Sequence, residues 1–494
     1  MSVPETTKTP RPYAAEVASV VRHPGRVLAF LCIAQFMVFL DVSIVNVALP
    51  SIQTSLHVSE ATLPYVVTAY GTVLGGFLLF GSRLADAFGR RRLLRIGLAV
   101  FGTASLVAGL STDPTMLFVA RGVQGLGSAL IAPAALSTLT TTFAEGPERT
   151  KALGVWGALT GIASVCGVVF GGLLTQGPGW RWIFFINVPI ALAALLSAPA
   201  VLPESREGSR RRFDVAGAVV LTGALLLLIY TLDEAISAGW AEARILGGIA
   251  GAVVLLGAFV AVERRADAPL VPFSVFRLPA LRSANLATLF LLGCVVTVFF
   301  FASLFMQQVL GYSALKTGMA YVPLAVIVAV GAGLASGVVA KVPAKLVLTA
   351  GLVMATGGLL MLSRLPGHAG YAADVLPAFL IIGLGMGLAF VPLQIAAQTG
   401  VQEHQAGLAA GLINTSQEVG GALGVAVAAS IAFSRIADLT RRAHGNAALI
   451  LEGRTSVFHH AFFVGSCFAA GALLISLVLL RIPAAEADQR PMNA

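Results

Sequence analysis

Fourteen stretches of this chain are apolar over about twenty residues each and carry almost no charge within them. A helix at the boundary of a soluble core alternates apolar and polar positions at helical period, but here whole blocks are apolar on every face. Charged residues make up 11% of the 494, against about 25% in ordinary soluble domains, while 57% are hydrophobic. That balance cannot cover a water-facing surface, so lipid is the solvent the chain requires. The fold class it predicts is an all-α integral membrane protein.

The blocks fall at roughly residues 26–48, 60–81, 93–111, 114–137, 151–175 and 181–201, then 214–232 and 244–262, then 282–308, 316–338, 345–364, 372–397, 405–434 and 457–481. They predict a six-helix bundle over 26–201, a linker with two extra spans over 202–281, and a second six-helix bundle over 282–481. A segment of 1–25 and a tail of 482–494 flank them. Residues 1–25 hold Pro4, Pro10, Pro12 and Pro24 and lack an apolar core, so they are not a signal peptide. With both termini cytoplasmic, twenty-three Lys and Arg lie on the cytoplasmic side and eight opposite, and Arg121 lies inside a span. Positive loops resist translocation, which supports that orientation. Four of the outer eight, Arg435, Arg441, Arg442 and Arg454, belong to one long loop.

Internal similarity supports two halves. GLGSALIAP from Gly125 in span four returns as GLGMGLAFVP from Gly383 in span twelve, which sets Arg121 against Phe379. The loop after span two, FGSRLADAFGRRRLLRIG, has a weaker echo ending at Gly351, with Ala340 in place of Asp86.

Ionisable groups inside spans mark the chemistry. Asp41 lies about fifteen residues into span one, roughly 22 Å from the cytoplasmic edge, where an unpaired Asp costs on the order of 2.5–3.5 kcal/mol. Arg121 enters span four from the other side, roughly 10 Å below the outer edge, so the two depths match. Such a pair can be a static bridge between two helices. It can also be a proton switch, because burial favours a protonated carboxyl and an approaching cation favours the ionised one. Glu418, about thirteen residues into span thirteen, is also at mid-depth. It suits a second proton site, a contact for a cationic substrate, or a passive protonated group bonded to a neighbouring helix.

Other signals are weaker. Asp86, Arg90, Arg91 and Arg92 in the turn after span two suit a helix cap and headgroup contacts. Span five carries Gly154, Gly157, Gly161, Gly167, Gly171 and Gly172, whose spacing lets helix backbones approach closely. Gly-x-Gly runs inside spans are poor nucleotide fingerprints, and no phosphate-binding GxxxxGK[ST] occurs. Cys32, Cys166, Cys294 and Cys467 lie far apart inside apolar blocks and indicate neither disulfide nor metal site. Asp233, Glu234, Glu403 and His404 read as interfacial, and His459 and His460 open span fourteen. No nucleophile with its base and no phosphate cradle appears, so an enzyme is not expected.

At these motifs the chain resembles the fourteen-span drug and proton antiporter family of the major facilitator superfamily. LDVSIVNVALP, around Asp41, is similar to that family's span-one signature, and SRLADAFGRRRLL to the superfamily's gating loop through Asp86, Gly89, Arg90 and Arg91. RGVQGLGSA, from Arg121, resembles the span-four motif tied to proton transfer. Gly154, Gly167, Gly171 and Gly172 match the span-five antiporter motif, although Ala163 and Val168 stand where Gly and Pro are usual. WRWIFFINVPI and GLINTSQEVGGALG also look like family sequence, with Gln417-Glu418 where Arg-Gln is usual.

The resemblance implies a major facilitator fold in a bacterial inner membrane, with Asp41 and Arg121 coupling protons. It implies export of an amphipathic drug, antibiotic or metabolite. Independently of the resemblance, the ionisable groups gather in the first half, so Glu418, Asn414 and Gln394 of the second are expected to shape a substrate cavity, with Gln124. Proton-linked uptake, metabolite exchange and a non-transporting sensor are the alternatives. The expected partners are a small-molecule substrate, protons and the bilayer, without nucleic acid, cofactor or metal, and the expected state is a monomer.

Overall fold

The computed structural model describes residues 23–58, 62–63, 65–143, 146–202, 215–266, 269, 271–339, 341–366, 369–402, 405–443 and 447–480. Each of the fourteen apolar blocks contains a helix among the described residues, and no strand occurs there. The first bundle comprises α1 (Pro24–Leu56), α2 (Tyr65–Phe88), α3 (Arg90–Gly109), α4 (Pro114–Thr142), α5 (Pro147–Gln176), a short α6 (Trp182–Phe185) and α7 (Asn187–Val201). A hairpin of α8 (Val215–Ala238) and α9 (Ala243–Glu263) comes next, then a 3-10 turn, Phe273–Arg277. The second bundle comprises α10 (Pro279–Gln308), α11 (Ala314–Val338), α12 (Ala344–Leu362), α13 (Leu376–Gln398), α14 (Ala406–Ala443) and α15 (Ala447–Val478).

Eleven helical segments among the described residues are long and apolar enough to cross a membrane. Shorter apolar runs mark α5 at Cys166–Gln176 and α8 at Ala216–Leu232, while α14 carries more polar residues. The sixth span runs from Trp182 to Val201, with Ile186 between α6 and α7 at φ −59° and ψ −30°, still right-handed helical backbone. One expectation needs correction. The stretch from Arg435 to Arg442, expected as loop, continues α14, and Arg454 lies within α15.

Helix starts reflect local chemistry. Asp113 caps α4 by accepting from Met116 N at 3.0 Å ahead of Pro114, and Ser313 caps α11 by accepting from Lys316 N at 3.2 Å. Between α2 and α3 the chain reverses on one residue, Gly89, whose φ of 96° only glycine adopts readily.

The two bundles repeat one packing scheme. In the first, α4 lies against α2 and α3, and α1 against α5 and α7; in the second, α13 lies against α11 and α12, and α10 against α14 and α15. The paired glycine motifs hold equivalent crossings. A Cβ on Gly125 would meet Leu74 N at 3.1 Å, and one on Gly383 would meet Leu324 O at 2.8 Å. Gly127 lies as tightly on Phe101 of α3, and Gly385 on Ala355 of α12. Ala340, the counterpart of Asp86, lies outside the described residues.

The halves meet along α2 with α14 and α5 with α11 and α13, and α8 lies against both α2 and α14. Trp240 after α8 donates to Ser430 Oγ at 2.6 Å, fastening the hairpin to α14. Leu196, Val219, Val253, Val254, Leu474 and Val478 are exposed, the outward apolar belt that lipid covers.

Candidate functional site

The first bundle encloses a polar cluster that its apolar surroundings cannot solvate. Asp41 on α1 and Arg121 on α4 are both fully buried and form an ion pair through Arg121 Nη1 and Asp41 Oδ2. Arg121 also donates through Nη1 to Gln124 Oε1 at 2.9 Å and through Nε to the Val66 carbonyl on α2 at 2.8 Å. Its guanidinium lies 4.4 Å over the Tyr70 ring and 5.8 Å from the Phe184 ring centre. Arg121, Gln124 and Ser128 succeed one another at three- and four-residue spacing, so they form one stripe on α4. Ser128 Oγ shares a 2.8 Å hydrogen bond with the Tyr70 hydroxyl.

Two amides complete the coordination of Asp41. Gln124 Nε2 donates to Asp41 Oδ1 at 3.2 Å and to Ser105 Oγ on α3 at 2.8 Å. Asn187 Nδ2 on α7 donates to the same Asp41 oxygen at 2.9 Å. Three donors therefore converge on one carboxylate. Removing one partner of such a pair typically costs about 3–5 kcal/mol, because a buried charge is left uncompensated.

Among the described residues, the second bundle has no counterpart of this ion pair. At the position equivalent to Arg121, Phe379 stacks on Tyr321 with ring centres 5.3 Å apart, much as Arg121 covers Tyr70. Its polar groups lie elsewhere. Gln394 and Gln398 on α13 and Asn414 and Thr415 on α14 are buried, and Gln394 Oε1, Gln398 Nε2, Asn414 Nδ2 and Thr415 Oγ1 have no hydrogen-bond partner. Glu418, one turn beyond Asn414, is half-buried where α14 meets α2, and a Cβ on Gly75 would lie 3.4 Å from its Cβ. Both Glu418 and Asp41 are within electrostatic reach of Tyr70.

The structure thus brings Asp41 and Arg121 together and gathers Gln124 with them. Glu418, Asn414 and Gln394 belong to the other bundle. Sequence reasoning assigned no role to Asn187, Ser105, Tyr70 or the Val66 carbonyl. Asn187 carried a usable signal, since an amide within the apolar run INVPI needs a buried partner. Ser105 and a main-chain carbonyl carried none.

The glycines of α5 divide between two neighbours. Gly167 and Gly171 lie on α1 beside Asp41, where added Cβ atoms would meet Ile44 N at 3.0 Å and Ile44 O at 2.9 Å. Gly154 and Gly172 face α11, meeting Ser336 Cβ at 3.1 Å and Leu315 at 3.4 Å, while Gly157 meets Phe390 Cβ of α13 at 3.4 Å. One helix therefore joins the Asp41 helix to the opposite bundle.

Around Gly89, Arg90 Nη1 donates to Thr141 Oγ1 at 2.8 Å and Arg91 Nη1 to the Leu202 carbonyl at 3.1 Å. Arg83 Nη2 donates to the Pro269 carbonyl at 3.2 Å. These bonds tie the turn to α4, to the end of α7 and to the segment leading into the second bundle. Asp86 lies in α2, and its side chain is outside the described residues.

Two repeated bundles, an apolar belt and a charge network sealed within one bundle define a polytopic membrane transporter. The family model of the Major Facilitator Superfamily matches residues 31–425, and the chain belongs to that superfamily. It is 38% identical over 459 residues to the puromycin resistance protein pur8 of Streptomyces alboniger, covering 92% of this chain and 90% of the relative. It is 41% identical over 404 residues to the cephamycin export protein CmcT of Amycolatopsis lactamdurans, covering 81% and 83%. Among solved structures, the human organic anion transporter MFSD10 shares the fold, with a TM-score of 0.61 at 15% identity over 94% of this chain and 100% of that one.

Proposed function

We propose that this chain is a fourteen-span, proton-coupled antiporter of the bacterial inner membrane, monomeric and with both termini cytoplasmic, that exports an amphipathic drug, antibiotic or metabolite by alternating access. The observation that carries this reading is the fully buried Asp41, held by Arg121, Gln124 and Asn187 on helices of one bundle. Relatives named for puromycin resistance and cephamycin export support the substrate class and direction.

In this reading a proton arriving at Asp41 cancels the charge that binds α1 to Arg121. Arg121 stays on α2 through the Val66 carbonyl and the Tyr70 ring, so the α1–α4 tie loosens while the α2–α4 tie persists. Movement of α1 passes to α5 through Gly167 and Gly171, and from α5 to α11 through Gly154 and Gly172. Asn414, Gln394 and Glu418 offer polar contacts to substrate from the second bundle, and the arginines around Gly89 gate the cytoplasmic side. One proton moving down 100 mV and one pH unit supplies about 3.7 kcal/mol, which sustains roughly a 500-fold gradient of a neutral substrate.

Everted vesicles loaded with a pH-sensitive dye test the reading, with puromycin and a cephamycin as probes. Proton release from acidified wild-type vesicles on adding a probe, and none with Asp41→Asn, is the expected result. Probe accumulation without proton movement would reject the coupling.

A further inference from the structure

Two amides hold Asp41, and they differ in what they can do when the carboxylate is protonated. Gln124 is committed at both ends: Oε1 accepts from Arg121 at 2.9 Å, and Nε2 donates to Ser105 Oγ at 2.8 Å as well as to Asp41. Ser105 Oγ itself donates to the Phe101 carbonyl at 2.8 Å, so it faces Gln124 with a lone pair. Turning the Gln124 amide over would set oxygen against oxygen and N–H against guanidinium.

Asn187 has no such commitment. Its Nδ2 donates to Asp41 Oδ1 at 2.9 Å, while its Oδ1 is buried and makes no hydrogen bond. A buried amide oxygen without a partner has given up its hydration for nothing in return. Here it lies beside the group whose hydrogen-bonding character reverses on protonation. An ionised carboxylate only accepts, but a protonated one also donates a single O–H.

We propose that Asn187 is a positioning residue that responds to the protonation of Asp41. Its amide N–H faces the carboxylate, and after the amide turns, its carbonyl oxygen accepts the new O–H. No bond to carbon changes, and the proton stays on Asp41. The turn keeps protonated Asp41 satisfied once Arg121 lets go, so the acid does not stand as a lone donor in hydrocarbon. This rests on Asp41 being the proton site of the proposed antiport.

The neighbouring charges are few. Arg121 of α4 faces Asp41, Tyr70 of α2 lies over Arg121, and Glu418 of α14 is within electrostatic reach of Tyr70. α6 and α7 contain no titratable residue, α3 contributes Ser105, and α5 meets α1 here through Gly167 and Gly171.

The test is infrared titration of the purified full chain, taking the carboxylic-acid carbonyl band that Asp41→Asn removes as the signal of protonated Asp41. Asn187→Leu has nearly the same shape but neither donates nor accepts. Because charge-assisted bonds are about twice as strong as neutral ones, the ionised form loses more, and the titration midpoint moves up by about one pH unit. The band itself also shifts, since the acid O–H has lost its acceptor. Asn187→Gln, which keeps the amide, restores both properties toward wild type. An unchanged midpoint and band in Asn187→Leu would overturn the proposal, and so would a moved midpoint with an unmoved band, which would make Asn187 a donor only. If Asn187→Leu does not fold, Asn187→Ala is read in the same way. The titration needs no transport, so a wild type without substrate-driven proton release would defeat the antiport reading and leave this result standing.

Discussion

Replacing Gly167 by alanine places one methyl group where α5 crosses α1, and the crossing has no room for it. The new Cβ would lie 3.0 Å from Ile44 N and 3.1 Å from Leu40 O, with Ser43 Cβ closer still. Ordinary contact begins near 3.4 Å, and the obstructing atoms are backbone or attached directly to it, so no side chain can swing aside. The helices must separate by several tenths of an ångström, and overpacking of this kind costs about 1–3 kcal/mol. Alanine returns about 1 kcal/mol through helix propensity, leaving a net loss of roughly 0–2 kcal/mol. Gly157→Ala is the control, because its Cβ would meet Phe390 Cβ at 3.4 Å, an ordinary contact, and the propensity gain then makes it neutral or stabilising. Thermal unfolding in detergent should place Gly167→Ala below Gly157→Ala. Proton-coupled transport in vesicles should fall only in Gly167→Ala, because Leu40, Ser43 and Ile44 flank Asp41 and shift it against Arg121. The reasoning fails if Gly167→Ala is as stable as Gly157→Ala and couples protons as wild type does.

Arg121→Lys keeps the charge but cannot reach Asp41, Gln124 and Val66 together, so transport should be lost even where the protein folds, as measured by efflux from loaded cells. Gln124→Leu removes a donor to Asp41 and an acceptor for Arg121, and should lower stability by about 1–3 kcal/mol in the same unfolding assay. Phe379→Arg buries a cation against Tyr321 with no carboxylate placed for it; it should reduce the folded yield on size-exclusion chromatography rather than create a second coupling site. Glu418→Gln should leave the proton stoichiometry unchanged and alter which substrates are exported, as seen in resistance profiles.

Much of this architecture is legible in the sequence because lipid imposes a simple rule: a span is a run of apolar residues of fixed length. The Asp41–Arg121 pair is legible for the same reason, since two charges at equal depth in hydrocarbon need one another. The repeated glycine motif places Phe379 opposite Arg121, and the stacking of Phe379 on Tyr321 agrees with that register. What the sequence hides is rotational. Gln124, expected to line the cavity, lies on the face of α4 that carries Arg121 and Ser128 and bonds Arg121 and Asp41. The same holds for span five, whose glycines look uniform although some face α1 and others face α11 and α13. The long helical extension of α14 through Arg435 and Arg442 was hidden because charged residues beyond the bilayer read as loop.

In the proposed antiport, Asp41 carries the proton exchanged for substrate. The most direct measurement is proton release from purified protein in weakly buffered detergent solution when puromycin or another bound probe is added. Wild type is expected to release a proton as substrate binds, and Asp41→Asn to bind the same probe without releasing one. Equal release from both proteins would place the exchanged proton elsewhere and rule Asp41 out as its carrier.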